Sequence, residues 1–249
     1  MAEREEMARV FGTAAATYEA GRPDYPREAV EWMLQPARTA DRAPRVADVG
    51  AGTGKLTRVA ADLGAEIVAV DPDAQMLETF RLHVPGVPTF VGTAEQLPLP
   101  DCSLDAIIVG QAWHWVQPDA ASAEIARVLR PGGVLGLIWN IRDEHIAWVK
   151  RLTEVMSLSN AERMLAEGAP PVSAPFAAGE HRTWHWSRPM TRDTLFAMAH
   201  SRSYVLTATP EERERIDLEL GRLCDDIGAV GEATVDLPYA TEAFRFVRP

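Results

Sequence analysis

Residues 46–54 read Val-Ala-Asp-Val-Gly-Ala-Gly-Thr-Gly, and this stretch decides the fold. A short apolar strand runs directly into a turn that contains Gly50, Gly52 and Gly54. Glycine lets the backbone bend sharply and leaves space where a Cβ would meet a ligand. Apolar residues at helical spacing follow over residues 55–63. The stretch therefore predicts a strand, a ligand-binding turn and a helix.

An acidic residue closes the next predicted strand. Residues 66–70 are mostly apolar, and Asp71 follows them, 21 residues after Gly50. An acid at this position can accept hydrogen bonds from both hydroxyls of an adenosine ribose. The combined order of strand, glycine turn, helix, strand and acid favours a nucleoside ligand over a solvated aspartate beside a tight turn.

The spacing of the glycines indicates which class of nucleoside-containing ligand the turn can bind. Dinucleotide-binding turns follow G-x-G-x-x-G/A, whereas here Lys55 stands three residues after Gly52. The sequence also lacks G-x-x-x-x-G-K-[S/T], the phosphate-binding loop of nucleoside triphosphatases. The pattern therefore disfavours both NAD and nucleoside triphosphates.

Short apolar strands alternate with amphipathic helices along this part of the chain. The further predicted elements are a helix over 72–84, strands over 87–91 and 104–109, a helix over 119–129 and a strand over 134–139. This alternation predicts a doubly wound α/β fold with a parallel sheet, in which ligands bind at the carboxyl ends of the strands.

Beyond residue 141 the alternation weakens. Within this stretch we expect a helix over 146–164, a loop over 167–179 and a strand over 181–188. We expect a single domain over 1–249 with four parts: an N-terminal helical cap (1–36), a cofactor-binding core (45–140), a helical and aromatic substrate-side insertion (141–205), and a C-terminal helix and strand that complete the sheet (206–249).

Composition excludes several classes of protein. The net charge is −11, so the chain lacks a broad attraction for nucleic acid or anionic lipid. Cys102 and Cys224 lie far apart, which argues against a disulfide framework or a cysteine-rich zinc site. Residues 1–6 are acidic where a signal peptide is basic, and no apolar run is long enough to span a membrane. We expect a cytoplasmic protein without nucleic-acid or membrane partners.

Several motifs carry a family resemblance. They are Asp48-Val49-Gly50-Ala51-Gly52-Thr53-Gly54, Asp71-Pro72, Met76-Leu77, Ala94-Glu95-Gln96-Leu97-Pro98, Leu104-Asp105 and Leu129-Arg130-Pro131-Gly132-Gly133. Together they resemble the class I S-adenosylmethionine-dependent methyltransferases, in the type 11 small-molecule branch near trans-aconitate methyltransferase. The resemblance implies a Rossmann-like, mostly parallel seven-stranded sheet with an antiparallel last strand. It also implies S-adenosylmethionine as cofactor and S-adenosylhomocysteine as its product.

The resemblance further implies which residues contact the cofactor. Gly50 and Gly52 would lie under its methionyl part, Asp48 near its amino group, and Asp71 at the ribose hydroxyls. The remaining implied contacts are Pro72 and Met76 on the adenine, Ala94 and Glu95 at the adenine edge, the backbone carbonyl of Gln111, and Tyr18 and Arg22 in a segment that closes over the cofactor. For Met76 a plain place in the helix core is an equal alternative, and Arg22 has the alternative of a surface arginine before a proline turn.

A histidine follows the fourth predicted strand, in Gly110-Gln111-Ala112-Trp113-His114-Trp115. At the carboxyl edge of the sheet, His114 can act as the base for a methyl acceptor, and the alternative is a histidine packed between two tryptophans. Trp113 is a candidate substrate contact. This position lacks the Asp/Asn-Pro-Pro-aromatic motif of amino-methylating DNA enzymes, which argues against DNA N-methylation.

Polar residues also follow the fifth predicted strand. Asn140 and Arg142 are candidate substrate contacts, since an arginine can hold a carboxylate or phosphate, although Arg142 and Asp143 can also form a solvated pair. Aromatic side chains nearby suggest apolar walls for a small organic ligand, and they are Trp148, Trp184 and Trp186. His181 and His185 lack a third ligand, so we expect no metal.

The leading functional hypothesis is O-methylation of a small organic molecule, with a carboxylate or a hydroxyl as the acceptor. An already ionised carboxylate needs no base, so positioning does most of the catalytic work. The alternatives are an NAD(P)-dependent oxidoreductase, a non-catalytic S-adenosylmethionine-binding protein, and an RNA methyltransferase, which the acidity of the chain and its lack of a Pro-Cys motif disfavour. The sequence predicts no oligomeric state.

Overall fold

The computed structural model describes residues 22–249 apart from 203, 204, 206 and 207. Its strands are β1 (Arg45–Val49), β2 (Glu66–Asp71), β3 (Thr89–Val91), β4 (Leu104–Gly110), β5 (Leu129–Arg142), β6 (Glu180–Met190) and β7 (Val235–Val247). They form one seven-stranded sheet in the order β3-β2-β1-β4-β5-β7-β6. The first five strands pair in parallel and the last strand of the chain is antiparallel, as expected, so the predicted fold class is confirmed.

Helices connect the strands. They are α1 (Arg27–Leu34), α2 (Lys55–Asp62), α3 (Ala74–His83), α4 (Pro118–Val128), α5 (Ala147–Met156), α6 (Asn160–Glu167), α7 (Arg192–His200) and α8 (Pro210–Asp226). The start of α8 follows local chemistry, because Thr209 and Glu212 form a reciprocal capping box and Pro210 occupies the first turn.

The sheet reverses its winding direction at β1. This strand pairs with β2 on one side and with β4 on the other, with Val46 opposite both Ile67 and Ala106. In open α/β sheets the crevice at such a switch point, outside the carboxyl ends of the strands, is where ligands bind. The glycine turn leaves β1 at that end.

The chain divides into two compact units. The larger unit contains Asp24–Trp139, Met164–Trp184 and Thr241–Pro249, and the smaller contains Met1–Pro23, Asn140–Arg163 and His185–Ala240. One core in the larger unit packs α1 and α2 against the central strands, through Met33, Leu56, Val46, Ile108 and Ile138. The core of the smaller unit joins α5, α7, α8 and β7, through Leu152, Met198, Leu220, Leu223 and Tyr239.

The insertion differs from its predicted form in two respects. The helix expected over 146–164 is two helices, α5 and α6, because Ser157 has a φ of 56° that no α-helix tolerates. The insertion is also not wholly helical, since β6 joins the main sheet as its edge strand. The expected boundaries of the four parts remain predictions, and residues 1–21 of the N-terminal cap lie outside the described residues.

Candidate active site

The three glycines of the turn after β1 have different roles. All have positive φ angles, of 71° at Gly50, 54° at Gly52 and 90° at Gly54. A Cβ on Gly50 would come within 2.7 Å of the Ala112 Cβ, and one on Gly54 within 2.5 Å of Val84. A Cβ on Gly52 would meet nothing within 4 Å. Gly50 and Gly54 thus allow close packing, whereas Gly52 faces open space.

Asp71, at the end of β2, holds this turn in place. Its Oδ2 accepts a hydrogen bond from the Gly52 backbone N–H at 2.9 Å, and its Oδ1 accepts one from the Asp73 N–H at 2.9 Å. Burial raises the pKa of Asp71 to about 6, against the lowering effect of these two donors. Each carboxylate oxygen has a second lone pair, so Asp71 can still accept hydrogen bonds from ribose hydroxyls.

Asp48 lies fully buried in β1, beneath the turn. Its Oδ2 accepts a hydrogen bond from the Thr57 hydroxyl at 2.6 Å, whereas no described residue provides a hydrogen-bond partner for its buried Oδ1. Burial raises the pKa of Asp48 to about 7, and the nearby charge of Asp71 adds to this effect. Sequence analysis missed Thr57, whose signal was a polar residue on the buried face of α2.

The expected adenine contacts occupy separate elements of the larger unit. Met76 and Ala94 are buried, and Pro72 is exposed. Glu95 holds the segment before α4, because its Oε1 accepts a hydrogen bond from the Gln117 backbone N–H at 2.8 Å. Met76 shares its buried helix face with Leu77 and Phe80, in keeping with the core alternative. Contact with adenine remains a prediction for all four residues.

The segment after β4 carries the candidate base. Gln111 has a φ of 55°, and its backbone N–H donates to the Ile138 carbonyl at 2.9 Å. Trp113, His114 and Trp115 form one 3₁₀ turn. The His114 ring is half-buried and tilted against the Trp115 ring, with centroids 5.0 Å apart. Both the catalytic role of His114 and the alternative of a histidine packed between two tryptophans remain predictions.

A loop over residues 168–179 packs against this segment. The buried Trp113 donates its indole N–H to the Pro171 carbonyl at 2.8 Å. The Ser173 N–H donates to Ser122 Oγ at 3.0 Å, and its hydroxyl donates to Asp119 at 2.5 Å. Trp113 thus anchors the loop. Sequence analysis missed this role, because the sequence predicts a loop from its composition and does not show which residue the loop contacts.

Arg142 corrects one of the sequence predictions. The hypothesis of a solvated pair with Asp143 is wrong, because the Arg142 side chain has 0% exposure and its Nη2 lies 2.9 Å from Glu162 Oε1. The same guanidinium donates to Thr153 Oγ1 at 3.2 Å from Nη2. Asp143 instead contacts His145, at 2.8 Å. Any contact of Arg142 with a substrate would therefore be made by a guanidinium that is buried and paired with Glu162.

The other residues expected near the substrate or cofactor also have packing roles. Asn140 is buried at the end of β5, and the Arg22 Nη2 donates to the Ser201 carbonyl at 3.3 Å. Tyr18 lies outside the described residues. Contact of Asn140 with a substrate, and of Tyr18 and Arg22 with the cofactor, remain predictions.

Two tryptophans of β6 pack on other aromatic rings. Trp184 packs on Trp32 in the larger unit, with ring centroids 5.7 Å apart, and Trp186 stacks on Tyr239 in the smaller unit at 5.0 Å. Apolar walls for a small organic ligand remain a prediction. The described part of the chain contains no group of three or more potential metal ligands.

The residues after β1 and β2 suit S-adenosylmethionine. The buried Asp48 Oδ1, which has no hydrogen-bond partner among the described residues, suits the positively charged amino group of the methionyl part. The open side of Gly52 suits close approach of a ligand, and Asp71 retains lone pairs for the ribose. When bound, the cofactor supplies a methyl group on a positively charged sulfur.

Comparison with known proteins identifies the family. The methyltransferase domain model matches residues 47–137. An uncharacterized methyltransferase from Mycobacterium tuberculosis (strain ATCC 25618 / H37Rv) is 40% identical over 248 residues, which cover 97% of each chain. The chain belongs to the class I S-adenosylmethionine-dependent methyltransferases. Both the enzyme class and the cofactor follow from this membership, and the oxidoreductase and non-catalytic alternatives are set aside.

Two further comparisons describe the relatives of this methyltransferase. The structure of a proposed type II methyltransferase from Anaeromyxobacter dehalogenans is 26% identical, with a TM-score of 0.65 over 91% of this chain and 97% of that one. A malonyl-[acyl-carrier protein] O-methyltransferase from Methylococcus capsulatus is 42% identical over 132 residues, which cover 50% of this chain and 48% of that protein. No described helix of the methyltransferase has the length and apolar character needed to cross a membrane.

Proposed function

We propose that this methyltransferase transfers the methyl group of S-adenosylmethionine to an oxygen atom of a small organic molecule, with a carboxylate as the first choice of acceptor and a hydroxyl as the second. The observation that carries the proposal is the 42% identity, over half of this chain, to the malonyl-[acyl-carrier protein] O-methyltransferase from Methylococcus capsulatus. The net charge of −11 supports a small acceptor over a nucleic acid.

The residues after β1 and β2 have the chemistry to fix the cofactor. In this proposal Asp48 holds the amino group, Asp71 accepts hydrogen bonds from the ribose hydroxyls, and Gly52 allows the ligand to approach the backbone. Methyl transfer from sulfur to oxygen is an in-line displacement, so alignment of the acceptor oxygen opposite the sulfur is the main requirement. The protein supplies that alignment and excludes water.

The role of His114 depends on which of the two acceptor classes the enzyme uses. A carboxylate is ionised at neutral pH and attacks without losing a proton, whereas a hydroxyl needs a base. The half-buried imidazole after β4 has the right chemistry for that base. A carboxylate acceptor therefore leaves His114 with a positioning role, and a hydroxyl acceptor makes it catalytic.

The chemistry of the product tests the proposal. The purified protein is incubated with S-adenosylmethionine labelled in its methyl group and with three groups of acceptors: carboxylic acids including dicarboxylic acid monothioesters, alcohols and phenols, and primary amines. The products are then treated with mild alkali, which releases methanol from methyl esters and leaves methyl ethers and N-methyl amines intact. The variant Asp71→Ala serves as the control for enzyme-dependent labelling.

We expect labelled methanol from the carboxylate group of acceptors. Alkali-stable label on an alcohol or phenol would keep O-methylation and replace the carboxylate by a hydroxyl. Label confined to the amines would overturn the proposal, because the enzyme would then be an N-methyltransferase.

A further inference from the structure

The smaller unit contains a guanidinium group that is not fully paired. Arg142 is fixed by Glu162 at 2.9 Å and by the Thr153 hydroxyl at 3.2 Å, both through Nη2. Its Nη1 is buried and has no hydrogen-bond partner among the described residues. A buried charged donor without an acceptor is costly, so the arrangement calls for an additional acceptor at this position.

More arginines surround this pair. Burial raises the pKa of the Tyr239 hydroxyl. The positive charges of four arginines of the smaller unit act to lower this pKa, and they are Arg202, Arg142, Arg188 and Arg22. The charge of Arg202 affects both members of the buried pair. Burial is the largest cause that lowers the pKa of Arg142, and the charge of Arg202 lowers it further. The charges of Arg142 and Arg202 both lower the pKa of Glu162.

Arg202 is a second member of the cluster with an incompletely paired guanidinium. Its side chain is half-buried, and its Nε is buried without a hydrogen-bond partner in the described part of the chain. The acids that act on Arg142 are Glu162 and Glu144, of which Glu162 also accepts a hydrogen bond from the Ser159 N–H at 2.7 Å.

We propose that this arginine cluster is an anion-binding site, in which Arg202 binds a small carboxylate while Arg142 contributes its positive charge and its unpaired Nη1. A guanidinium is planar and matches the two oxygens of a carboxylate, which makes this pairing strong and directional. The site lies within the smaller unit and is independent of the proposed function.

Succinate, a small dicarboxylate, is the probe. Its binding to the protein saturated with S-adenosylhomocysteine is measured by calorimetric titration, with the uncharged diester dimethyl succinate as the ligand control. The variant is Arg202→Gln, since substitution of Arg142 would strand the buried Glu162 carboxylate. The matched control is Arg151→Gln, which removes an exposed arginine of the same unit that pairs with Asp226 at 2.9 Å.

We expect succinate to bind the wild type and Arg151→Gln equally, and dimethyl succinate to bind neither. Arg202→Gln should raise the dissociation constant at least about tenfold, as expected when a hydrogen bond to a charged group is lost. Arg202→Lys, which keeps the charge without the planar fork, should give an intermediate value, and it takes the place of Arg202→Gln as the test if that variant does not fold.

Equal succinate affinity in the wild type and in a folded Arg202 variant would overturn the site, as would an absence of succinate binding to the wild type. A site that binds inorganic phosphate through Arg202 and does not bind succinate would overturn the carboxylate assignment. Arg202-dependent succinate binding without a methyl ester or methyl ether from any acceptor would contradict O-methylation and leave the anion site standing. The two proposals can therefore fail separately.

Discussion

Asp71 Oδ2 lies 2.9 Å from the backbone nitrogen of Gly52 and accepts its hydrogen bond. The acid at the end of β2 and the turn after β1 are therefore joined by a hydrogen bond, which ties the ribose-binding candidate to the conformation of the glycine turn. Loss of the carboxylate would remove a ligand contact and release the turn together. Cofactor affinity reports the loss of the ligand contact, and the free energy of unfolding reports the release of the turn.

Replacement of Asp71 by alanine should weaken binding of S-adenosylhomocysteine by at least about 1–3 kcal/mol, because the variant leaves two backbone N–H groups and the ribose hydroxyls without an acceptor. Calorimetric titration measures the change. Asp101→Ala is a suitable control, since it removes an exposed acid that pairs with Arg127. Unchanged affinity in a folded Asp71→Ala protein would show that Asp71 does not bind the ribose.

Substitution of Gly52 should distinguish an effect on cofactor affinity from an effect on the stability of the fold. Gly52→Ala places a methyl group in open space at a φ of 54°, so the expected stability cost is the strain alone, about 1–2 kcal/mol. Gly64→Ala is the matched control, because Gly64 has a φ of 85° and equally open surroundings after α2. Both variants should lose similar stability in thermal melts. Only Gly52→Ala should lose cofactor affinity, and equal affinity loss in both would argue against a cofactor at Gly52.

The contribution of Asp48 and Asp71 to the stability of the ligand-free protein should fall as the pH rises from about 4 to about 7. Burial raises the pKa values of Asp48 to about 7 and of Asp71 to about 6. The folded protein therefore holds protons in this range that the unfolded chain has already lost, and the free energy of unfolding decreases as these groups ionise. Denaturant titrations across the range measure the slope. Asp48→Asn should reduce it, and the same slope in the variant would rule out Asp48 as its source.

Cofactor affinity should show the opposite pH dependence. The amino group of the cofactor carries a positive charge, which favours the ionised form of the buried Asp48 carboxyl. Binding should therefore release protons near pH 6 and be tighter at pH 8. Titrations in buffers of different ionisation enthalpy count the protons, and proton release that persists undiminished in Asp48→Asn would assign it to another group.

The buried Arg142–Glu162 pair should be sensitive to the loss of one partner. Glu162→Gln leaves the Arg142 charge buried without its carboxylate, so the free energy of unfolding should fall by about 3–5 kcal/mol. Asp226→Asn breaks the exposed pair with Arg151 and should cost no more than about 1 kcal/mol. Urea unfolding at neutral pH compares the two variants, and equal costs would show that burial adds nothing to the Arg142 pair.

His114→Ala should slow turnover and leave cofactor affinity nearly unchanged if the acceptor is a hydroxyl, because a base then contributes about 10²–10⁴-fold. For a carboxylate acceptor the decrease should be small. His83→Ala, which removes an exposed histidine at the end of α3, controls for a general effect of the substitution. Normal turnover on a hydroxyl acceptor would give His114 a purely structural role.

The glycine turn and the acid at Asp71 could be predicted from the sequence because their chemistry is local. Glycine tolerates backbone angles that other residues avoid, so a strand that runs into Gly50 and Gly52 needs no distant contact to form a turn. The alternation of apolar strands and helices similarly fixed the class of the sheet. The hydrogen bond from Thr57 to Asp48 could not be predicted, because nothing in the sequence indicates which polar side chain of α2 meets the strand below it.

The role of Arg142 could not be predicted from the sequence. Its place after a buried strand suggested an exposed or substrate-facing arginine, and the partner that decides its role, Glu162, lies on a helix that the sequence pattern merged with the preceding one. Trp184 and Trp186 are two residues apart in one strand, yet they pack in different cores. Apolar and charged residues of this kind have many compatible partners, so sequence spacing does not select among them.

The sequence by itself determined the class of fold, the glycine turn and the cofactor family, because each depends on backbone conformations and periodicities that neighbouring residues impose. Only the tertiary structure decided that the Arg142 charge is buried against Glu162, that Trp113 anchors the loop over 168–179 through Pro171, and that Asp48 has a buried oxygen without a partner among the described residues. These features depend on burial and on contacts between residues far apart in the chain, and both arise only when the chain is packed.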